Sequence, residues 1–387
     1  MGKRLLILSA STGSGHIKAA QAIEEASRTD TRLDAVSHLD SLEYTNEVFQ
    51  TIYSKGYLEM VRNFPDLWAR GFEALDKPWE KAVFLSAFHR FNSQPLVRKI
   101  RDFNPDMIIC THPMPADVIV YLINQDKLKA NLGIVVTDYY IHALWLEEIF
   151  THYFVAKNES KRYMCMLGLP PDRIHVTGIP VLEHFSSPVN LDEIAERLQI
   201  SRDEPVIILS AGAFGLLSAH TIHKILKEIK VPSTKVVICG NNEKLKKELN
   251  EITAKAPESV RARTKIVGFT DKMHEYLRLA DIFIGKPGGL STSECLAAAV
   301  PMVIWDPIPG QEQYNAYYVL ESGAGVMPDS IATIGYKVDE ILGNPDKLAQ
   351  MKAAAKKAGF PNAAKSVLDH MLEKNNEAPV RPFKRNL

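Results

Sequence analysis

The sequence predicts an α/β protein built from two doubly wound parallel-sheet domains. Short apolar runs alternate with helix-patterned segments, and the alternation lapses and then opens a second time near residue 205. The chain has 387 residues, well beyond a single domain of ~150. Apolar runs this short, set between helices, mark parallel strands covered on both faces.

In chain order, the first run is 5–9, followed by a helix pattern from His16 with Ile17, Ala20 and Ile23 at helical spacing. Between residues 44 and 101 the alternation stops. This insertion into the first domain is helical in pattern and aromatic, with Phe49, Tyr53, Tyr57, Phe64, Trp68, Phe72, Trp79, Phe84, Phe88 and Phe91. Runs at 107–110, 133–136, 153–156 and 174–177 complete the first series. A polar stretch at 182–203 leads to the second, with strands expected at 205–210, 236–239, 265–267, 281–285 and 302–305. The expected domains are 1–182 and 183–355, with a helix at 356–373 returning to the first and a flexible tail at 374–387. Ligands of such sheets bind beyond the carboxyl ends of the strands, so a cleft between the domains is the expected site.

Composition narrows the functional classes. Lys+Arg and Asp+Glu each number 46, which argues against a nucleic-acid partner, since such proteins usually carry a basic excess. Cys110, Cys165, Cys239 and Cys295 are scattered without a CxxC pair, which excludes a disulfide scaffold or a local zinc knuckle and fits a reducing cytoplasm. The opening MGKRLLILSASTGSGH runs into a glycine turn rather than a cleavage site, so it reads as a first strand. No apolar stretch nears the ~20 residues that span a bilayer.

Two glycine turns carry the chemistry. In Ser11-Thr-Gly-Ser-Gly-His16, Gly13 and Gly15 allow a tight turn and close approach by a ligand. No GK[ST] follows, and Lys18 stands where GxGxxG needs its third glycine, so neither nucleotide fingerprint is met. His16, at a helix start, is placed to take a proton from a hydroxyl nucleophile near neutral pH; capping the helix is its plainer role.

The second turn is Gly285-Lys-Pro-Gly-Gly-Leu-Ser-Thr-Ser-Glu294. Gly288 and Gly289 bring N–H groups toward an anion, and Ser291 or Thr292 is expected to cap a helix beginning near Ser291. Glu294 would then fall in the first turn, either accepting both hydroxyls of a ribose or completing a Ser-x-x-Glu capping box. One strand later, Pro309-Gly-Gln311-Glu312-Gln-Tyr-Asn315 offers amide donors and carboxylate acceptors suited to sugar hydroxyls, or else an ordinary helix start. Together these pieces describe a sugar-nucleotide site.

These motifs resemble a known family. The Gly285–Glu294 turn, the Pro309–Asn315 loop and the following Glu321-Ser-Gly-Ala look like the donor-binding region of monogalactosyldiacylglycerol synthases and processive diacylglycerol glucosyltransferases, and more distantly that of the lipid II N-acetylglucosaminyltransferase. Val135-Val-Thr-Asp138, His142, Trp145, Tyr153-Phe-Val, Val176-Thr-Gly-Ile-Pro180 and Val267-Gly-Phe-Thr270 match the same family, so the resemblance runs from about residue 3 to 372.

The resemblance implies a GT-B glycosyltransferase: two Rossmann-like domains facing across a cleft, inverting, with no cofactor and no metal. The family's general base maps onto His16, its ribose acid onto Glu294 and its hexose-reading pair onto Gln311 and Glu312. Its diphosphate motif maps onto Lys286, Pro287, Gly288, Gly289, Leu290 and Ser291, with Phe269 beside the uracil and Gly212, Thr270 and Asn315 completing the donor side. Gly13, Gly15, His112, Asp138, His142 and Trp145 make the acceptor side, although a capping role for Asp138 and a core role for Trp145 are equally open. Three departures stand out. Ser210-Ala-Gly-Ala-Phe-Gly215 replaces a Gly-Gly-Gly-x-Gly turn, His152 stands where an Asp often precedes Tyr-Phe-Val, and the first glycine turn leans toward bacterial members.

The implied reaction is transfer of glucose or galactose from UDP-glucose or UDP-galactose to diacylglycerol or a related lipid. Lys55, Arg62, Arg70, Lys77, Lys81, Arg90, Arg98 and Lys99 interleave with the insertion's aromatics and suit an anionic membrane surface. Peripheral binding at the cytoplasmic face of the cell membrane is expected, against the plainer reading of aromatics as core. N-acetylglucosamine transfer to a cell-wall lipid, nucleotide-sugar epimerisation and a non-catalytic UDP-sugar sensor are the competing readings.

Overall fold

The computed structural model describes residues 2–80, 89, 92–212 and 217–373, with the backbone alone at 54–55, 57–58 and 62. Among the described residues the strands form two six-stranded, all-parallel sheets. The first contains β1 (Lys3–Ser9), β2 (Leu33–Asp40), β3 (Met107–Cys110), β4 (Asn131–Val135), β5 (His152–Val155) and β6 (Ile174–Val176), in the order β2-β1-β3-β4-β5-β6. The second contains β7 (Val206–Ser210), β8 (Thr234–Ile238), β9 (Thr264–Val267), β10 (Ile282–Gly285), β11 (Met302–Ile304) and β12 (Gly325–Val326), in the order β12-β11-β10-β7-β8-β9. Two compact units result. One comprises the chain to Glu183, Pro309–Gln311 and the segment from Asn362; the other comprises His184–Ile308 and Glu312–Pro361.

In the first unit successive residues of β1 serve opposite faces. Leu6 and Leu8 join Ile108, Cys110 and Ile134 in one core cluster, with Leu96, Ile100 and Val118 from covering helices. Leu5 and Ile7 join Met107, Ile109, Val135 and Phe154 in another, covered by Ala20 and Ile23 of helix Ser14–Ser27 and by Val367, Leu368 and Met371 of helix Ala363–Leu372. Each fully buried side chain of this size contributes ~1.5–3 kcal/mol, which is why both faces are apolar and the strands read as unbroken runs. Gly133 lets helix Ala363–Leu372 approach β4: a Cβ there would lie 2.7 Å from Met371 Sδ and 3.1 Å from the Phe154 ring.

The edge strands β2 and β12 are absent from the sequence expectation. β2, LDAVSHLD, pairs with β1 alone and is mostly half-buried, so polar residues interrupt any apolar run. β12 has two residues. The remaining strands lie within two residues of their expected bounds.

The order of strands reverses between β1 and β3 in one sheet and between β7 and β10 in the other. Such switch points open crevices at the carboxyl ends of their strands.

The insertion is mostly helical where described, with 76–80 outside any helix. Glu47–Gln50 is followed by a π-helical turn Thr51–Gly56, then Tyr57–Asn63, Pro65–Leu75 and Gln94–Phe103. Phe84, Phe88, Phe91, Lys81 and Arg90 lie outside the described residues, as do Ala213, Phe214, Gly215 and the tail 374–387; of Tyr57, Lys55 and Arg62 only the backbone is described. All four cysteines are free thiols. Among the described residues no helix is long and apolar enough to cross a membrane.

Candidate active site

The switch point of the first sheet gathers three chain segments. β1 leads through Gly13 into helix Ser14–Ser27, β3 leads into Thr111 and His112, and β4 leads to Thr137 and Asp138. Gly13 caps its helix from extended backbone (φ −160°), and a Cβ there would meet nothing within 4 Å. Its smallness therefore keeps the space before the helix open rather than relieving backbone strain. Gly15 lies half-buried in the first turn of that helix.

His16 does not cap its helix, whose start has no side-chain cap. Its Nδ1 lies 2.8 Å from the Thr111 carbonyl oxygen and 2.9 Å from Thr137 Oγ1. A carbonyl only accepts, so Nδ1 carries the proton and Nε2 keeps its lone pair. Burial pushes the His16 pKa down from 6.5 to about 4, against the upward pull of the Thr111 bond. The resting imidazole is therefore neutral, with its basic nitrogen fixed.

His112 packs edge-on against His16, ring centroids 4.5 Å apart, and has the opposite tautomer. Its Nδ1 accepts the Met114 N–H at 3.0 Å, capping helix Pro113–Asn124. Burial, and then the neighbouring His16 and His89, hold its pKa well below the ordinary value.

Trp145, buried, lies 6.2 Å from His16 between ring centroids. His142 caps the 3-10 turn Ala143–Trp145 through the Leu144 N–H, so Asp138 does not; half-buried Asp138 has partners of its own. His142 Nε2 donates to the Phe72 carbonyl at 2.9 Å, and Asp76 accepts from the Ala143 N–H at 2.8 Å and the Tyr140 hydroxyl at 2.5 Å. These bonds seat helix Pro65–Leu75 beside the acceptor-side loop. That helix buries none of its residues, and Phe64, Leu67 and Leu75 are exposed, as are Val48 and Ile52 before it.

In the second unit, β10 ends at Gly285 and the helix begins at Gly289, two residues before the expected start. Gly288 is the N-cap, so neither Ser291 nor Thr292 caps, and Glu294 lies in the second turn rather than the first. The cause is Pro287-Gly288, which sets the start of the helix; Ser293 Oγ instead donates back to the Gly289 carbonyl at 2.9 Å. No side chain caps this helix, so the N–H groups of Gly289, Leu290 and Ser291 are offered to an anion.

Lys286 Nζ pairs with Asp306 Oδ2 at 3.0 Å and lies 5.5 Å above the Trp305 ring. Glu312 comes to the same turn: its Oε2 accepts the Ile308 N–H at 2.9 Å, and its Oε1 lies 3.4 Å from where a Cβ on Gly288 would be. Burial pushes its carboxyl pKa up. Gly212, with φ +77°, follows β7 on the other side of the switch point, in a conformation that favours glycine. Phe269 is 66% exposed, Thr270 Oγ1 accepts the Lys272 N–H at 3.0 Å, and Asn315 is buried. Gln311 groups with the first unit.

Composition and spacing did not point to Thr111, Thr137 or Asp76. Position was the available signal for the two threonines, since each directly follows the carboxyl end of a central strand or its extension. Among the described residues no three His, Cys, Asp or Glu gather as a metal site would need.

Two family matches divide the chain. Monogalactosyldiacylglycerol (MGDG) synthase matches residues 16–181, and glycosyl transferases group 1 matches residues 192–358. The processive diacylglycerol beta-glucosyltransferase of Bacillus licheniformis is 30% identical over 378 residues, covering 96% of this chain and 95% of that protein. Among solved structures, Acinetobacter baumannii MurG aligns with a TM-score of 0.61 at 18% identity, over 95% of this chain and 99% of its own. UDP-GlcNAc 2-epimerase from Neisseria meningitidis aligns with a TM-score of 0.59 at 14% identity, over 95% and 99%. These two share the fold. With its paired parallel sheets and near full-length relatives, the chain belongs to the family of monogalactosyldiacylglycerol synthases and processive diacylglycerol beta-glucosyltransferases, glycosyltransferases of the GT-B fold.

Proposed function

We propose that the protein transfers a hexose, glucose or galactose, from a UDP-sugar to diacylglycerol or a related lipid, with inversion at the anomeric carbon. The observation that carries this reading is the fixed tautomer of His16, a neutral imidazole with Nε2 unprotonated at the switch point of the first sheet. The names of its full-length relatives supply the lipid.

In the reaction, a bond forms between the acceptor oxygen and the anomeric carbon while the bond to the diphosphate breaks. The hydroxyl proton passes to His16 Nε2, and its Nδ1–H, held by Thr111, keeps the ring oriented. The departing diphosphate gathers negative charge. The uncapped helix start at Gly289–Ser291 and the Lys286 ammonium stabilise it through fixed dipoles and charge. Glu312 and Gln311 read the hexose hydroxyls, and Glu294 the ribose.

The exposed apolar side chains from Val48 to Leu75, with Arg70 and Lys77 beside them, suit a peripheral seat on an anionic membrane, where the acceptor resides.

The deciding experiment is a matrix of UDP-glucose, UDP-galactose and UDP-N-acetylglucosamine against diacylglycerol and polyprenyl lipids, with product anomericity determined. A β-linked hexosyl diacylglycerol is the expected product, and His16→Ala loses it by a factor of at least ~100 while binding UDP normally. Product only with N-acetylglucosamine and a polyprenyl lipid overturns the substrate assignment, and near wild-type turnover by His16→Ala overturns the base.

A further inference from the structure

We infer that Tyr53, His89 and Asp117 form a buried positioning relay that holds the His112–His16 pair in place. This rests on the reading of His16 as the base. His89 Nδ1 lies 3.1 Å from Asp117 Oδ2, and His89 Nε2 lies 3.1 Å from the Tyr53 hydroxyl oxygen. A carboxylate accepts from Nδ1–H, which leaves Nε2 to accept the phenol proton, so this order of carboxylate, imidazole and hydroxyl gives each proton in the chain an acceptor. His89 and Asp117 are 4% and 7% exposed.

The relay points at the base through rings. The Tyr53 ring is stacked on Phe49 at 5.2 Å and meets His112 edge-on at 6.1 Å; His112 in turn meets His16 at 4.5 Å. Asp117 and the His112 cap belong to the same helix, Pro113–Asn124, so the relay anchors to the element that presents His112. Tyr53 rides on the π-helical turn Thr51–Gly56, a backbone form that recurs at functional sites. A core that only needed filling would be as well served by apolar side chains of the same volume. Two buried titratable groups joined to a phenol serve orientation instead.

The test removes single atoms or protons. Tyr53→Phe keeps the ring and its stacking and deletes the hydroxyl. Asp117→Asn replaces the acceptor with an amide, which turns the His89 tautomer and leaves the phenol without an acceptor. Two readouts are taken: steady-state kinetics of hexosyl transfer, and nitrogen NMR of selectively labelled histidines, assigned with His16→Gln and His112→Gln.

Each variant is expected to lower kcat about tenfold with both KM values within twofold, and the double variant to lose no more than either single one. The His16 Nδ1–H and His112 Nε2–H signals are expected to shift. Wild-type kcat, losses that multiply in the double variant, or unchanged His16 and His112 signals overturn the relay. If the wild-type protein transfers no hexose, the function proposed above fails, yet the NMR arm still decides the relay. Should Tyr53→Phe not fold, His89→Gln is read in the same two assays.

Discussion

His16 and Thr111 bind each other twice. The imidazole Nδ1–H donates to the Thr111 carbonyl at 2.8 Å, and the Thr111 hydroxyl donates to the His16 carbonyl at 2.9 Å. The two bonds differ in what a substitution removes. Thr111→Val deletes the hydroxyl and keeps the carbonyl that orients the ring. Stability in urea should fall by about 1 kcal/mol, the usual net worth of one such bond, while kcat falls less than tenfold. A loss of activity as deep as that of His16→Ala would contradict the division.

Gly288→Ala separates folding from donor binding. Gly288 has φ −59°, which alanine adopts freely, and the new Cβ would touch only Glu312 Oε1 at 3.4 Å. Thermal unfolding should change little, whereas the methyl group stands at the helix start where the diphosphate is proposed to lie. UDP affinity, by calorimetry, is expected to drop at least tenfold. An unchanged affinity would place the diphosphate elsewhere.

The membrane seat can be tested without touching the chemistry. Leu67 is 58% exposed and Phe64 59% exposed, so Glu at either position should leave the melting temperature within a degree or two. Sedimentation with anionic vesicles should fall severalfold in Phe64→Glu/Leu67→Glu and be weak for the wild-type chain on neutral vesicles. Equal sedimentation of the two proteins would reject this surface.

Acid should loosen the first unit through its histidines. His152 Nδ1 lies 3.0 Å from His175 Nε2, and the His175 ring stacks on that of His370 at 4.1 Å. Burial, followed by the charge of His370, pushes His152 from 6.5 to about 4 and His175 to about 3. Both stay neutral in the folded state while the unfolded chain takes up protons below 6.5. Stability is thus fully present above that pH and declines as pH falls toward 4 and 3. His152 contributes at most ~1.4 kcal/mol per pH unit, and half-buried His175 less, because water screens it. Urea midpoints at pH 7.5, 6 and 5 should show the decline, and His175→Phe should flatten it. A flat wild-type profile would refute the assignment.

The sequence made some of this legible and hid the rest, for identifiable reasons. Leu5, Leu6, Ile7 and Leu8 are apolar because both faces of β1 are covered, so central strands announce themselves as runs. β2 stays hidden because an edge strand is free to carry Asp34, Ser37 and Asp40. The Pro287-Gly288 turn was legible as an anion site, but where its helix begins depended on which residue caps, and Ser-x-x-Glu misled. His16 was visible as a histidine in a glycine turn. Its partners were not, since Thr111 and Thr137 are ordinary residues whose meaning comes only from adjacent strands. Tyr53, His89 and Asp117 lie on three separate stretches with no common spacing, so only the folded chain joins them.

Helix Ala363–Leu372 supplies Val367, Leu368 and Met371 to the core behind β1 and β3, although the whole second unit precedes it in the chain. A nascent chain leaving the ribosome must therefore carry its earliest strands with one face only partly covered, by helix Ser14–Ser27, until residues 363–372 have been translated. Chaperone occupancy should be longest on the half made first, and a stop codon just ahead of residue 363 should cause aggregation through the amino-terminal sheet rather than through the unit whose synthesis had just ended.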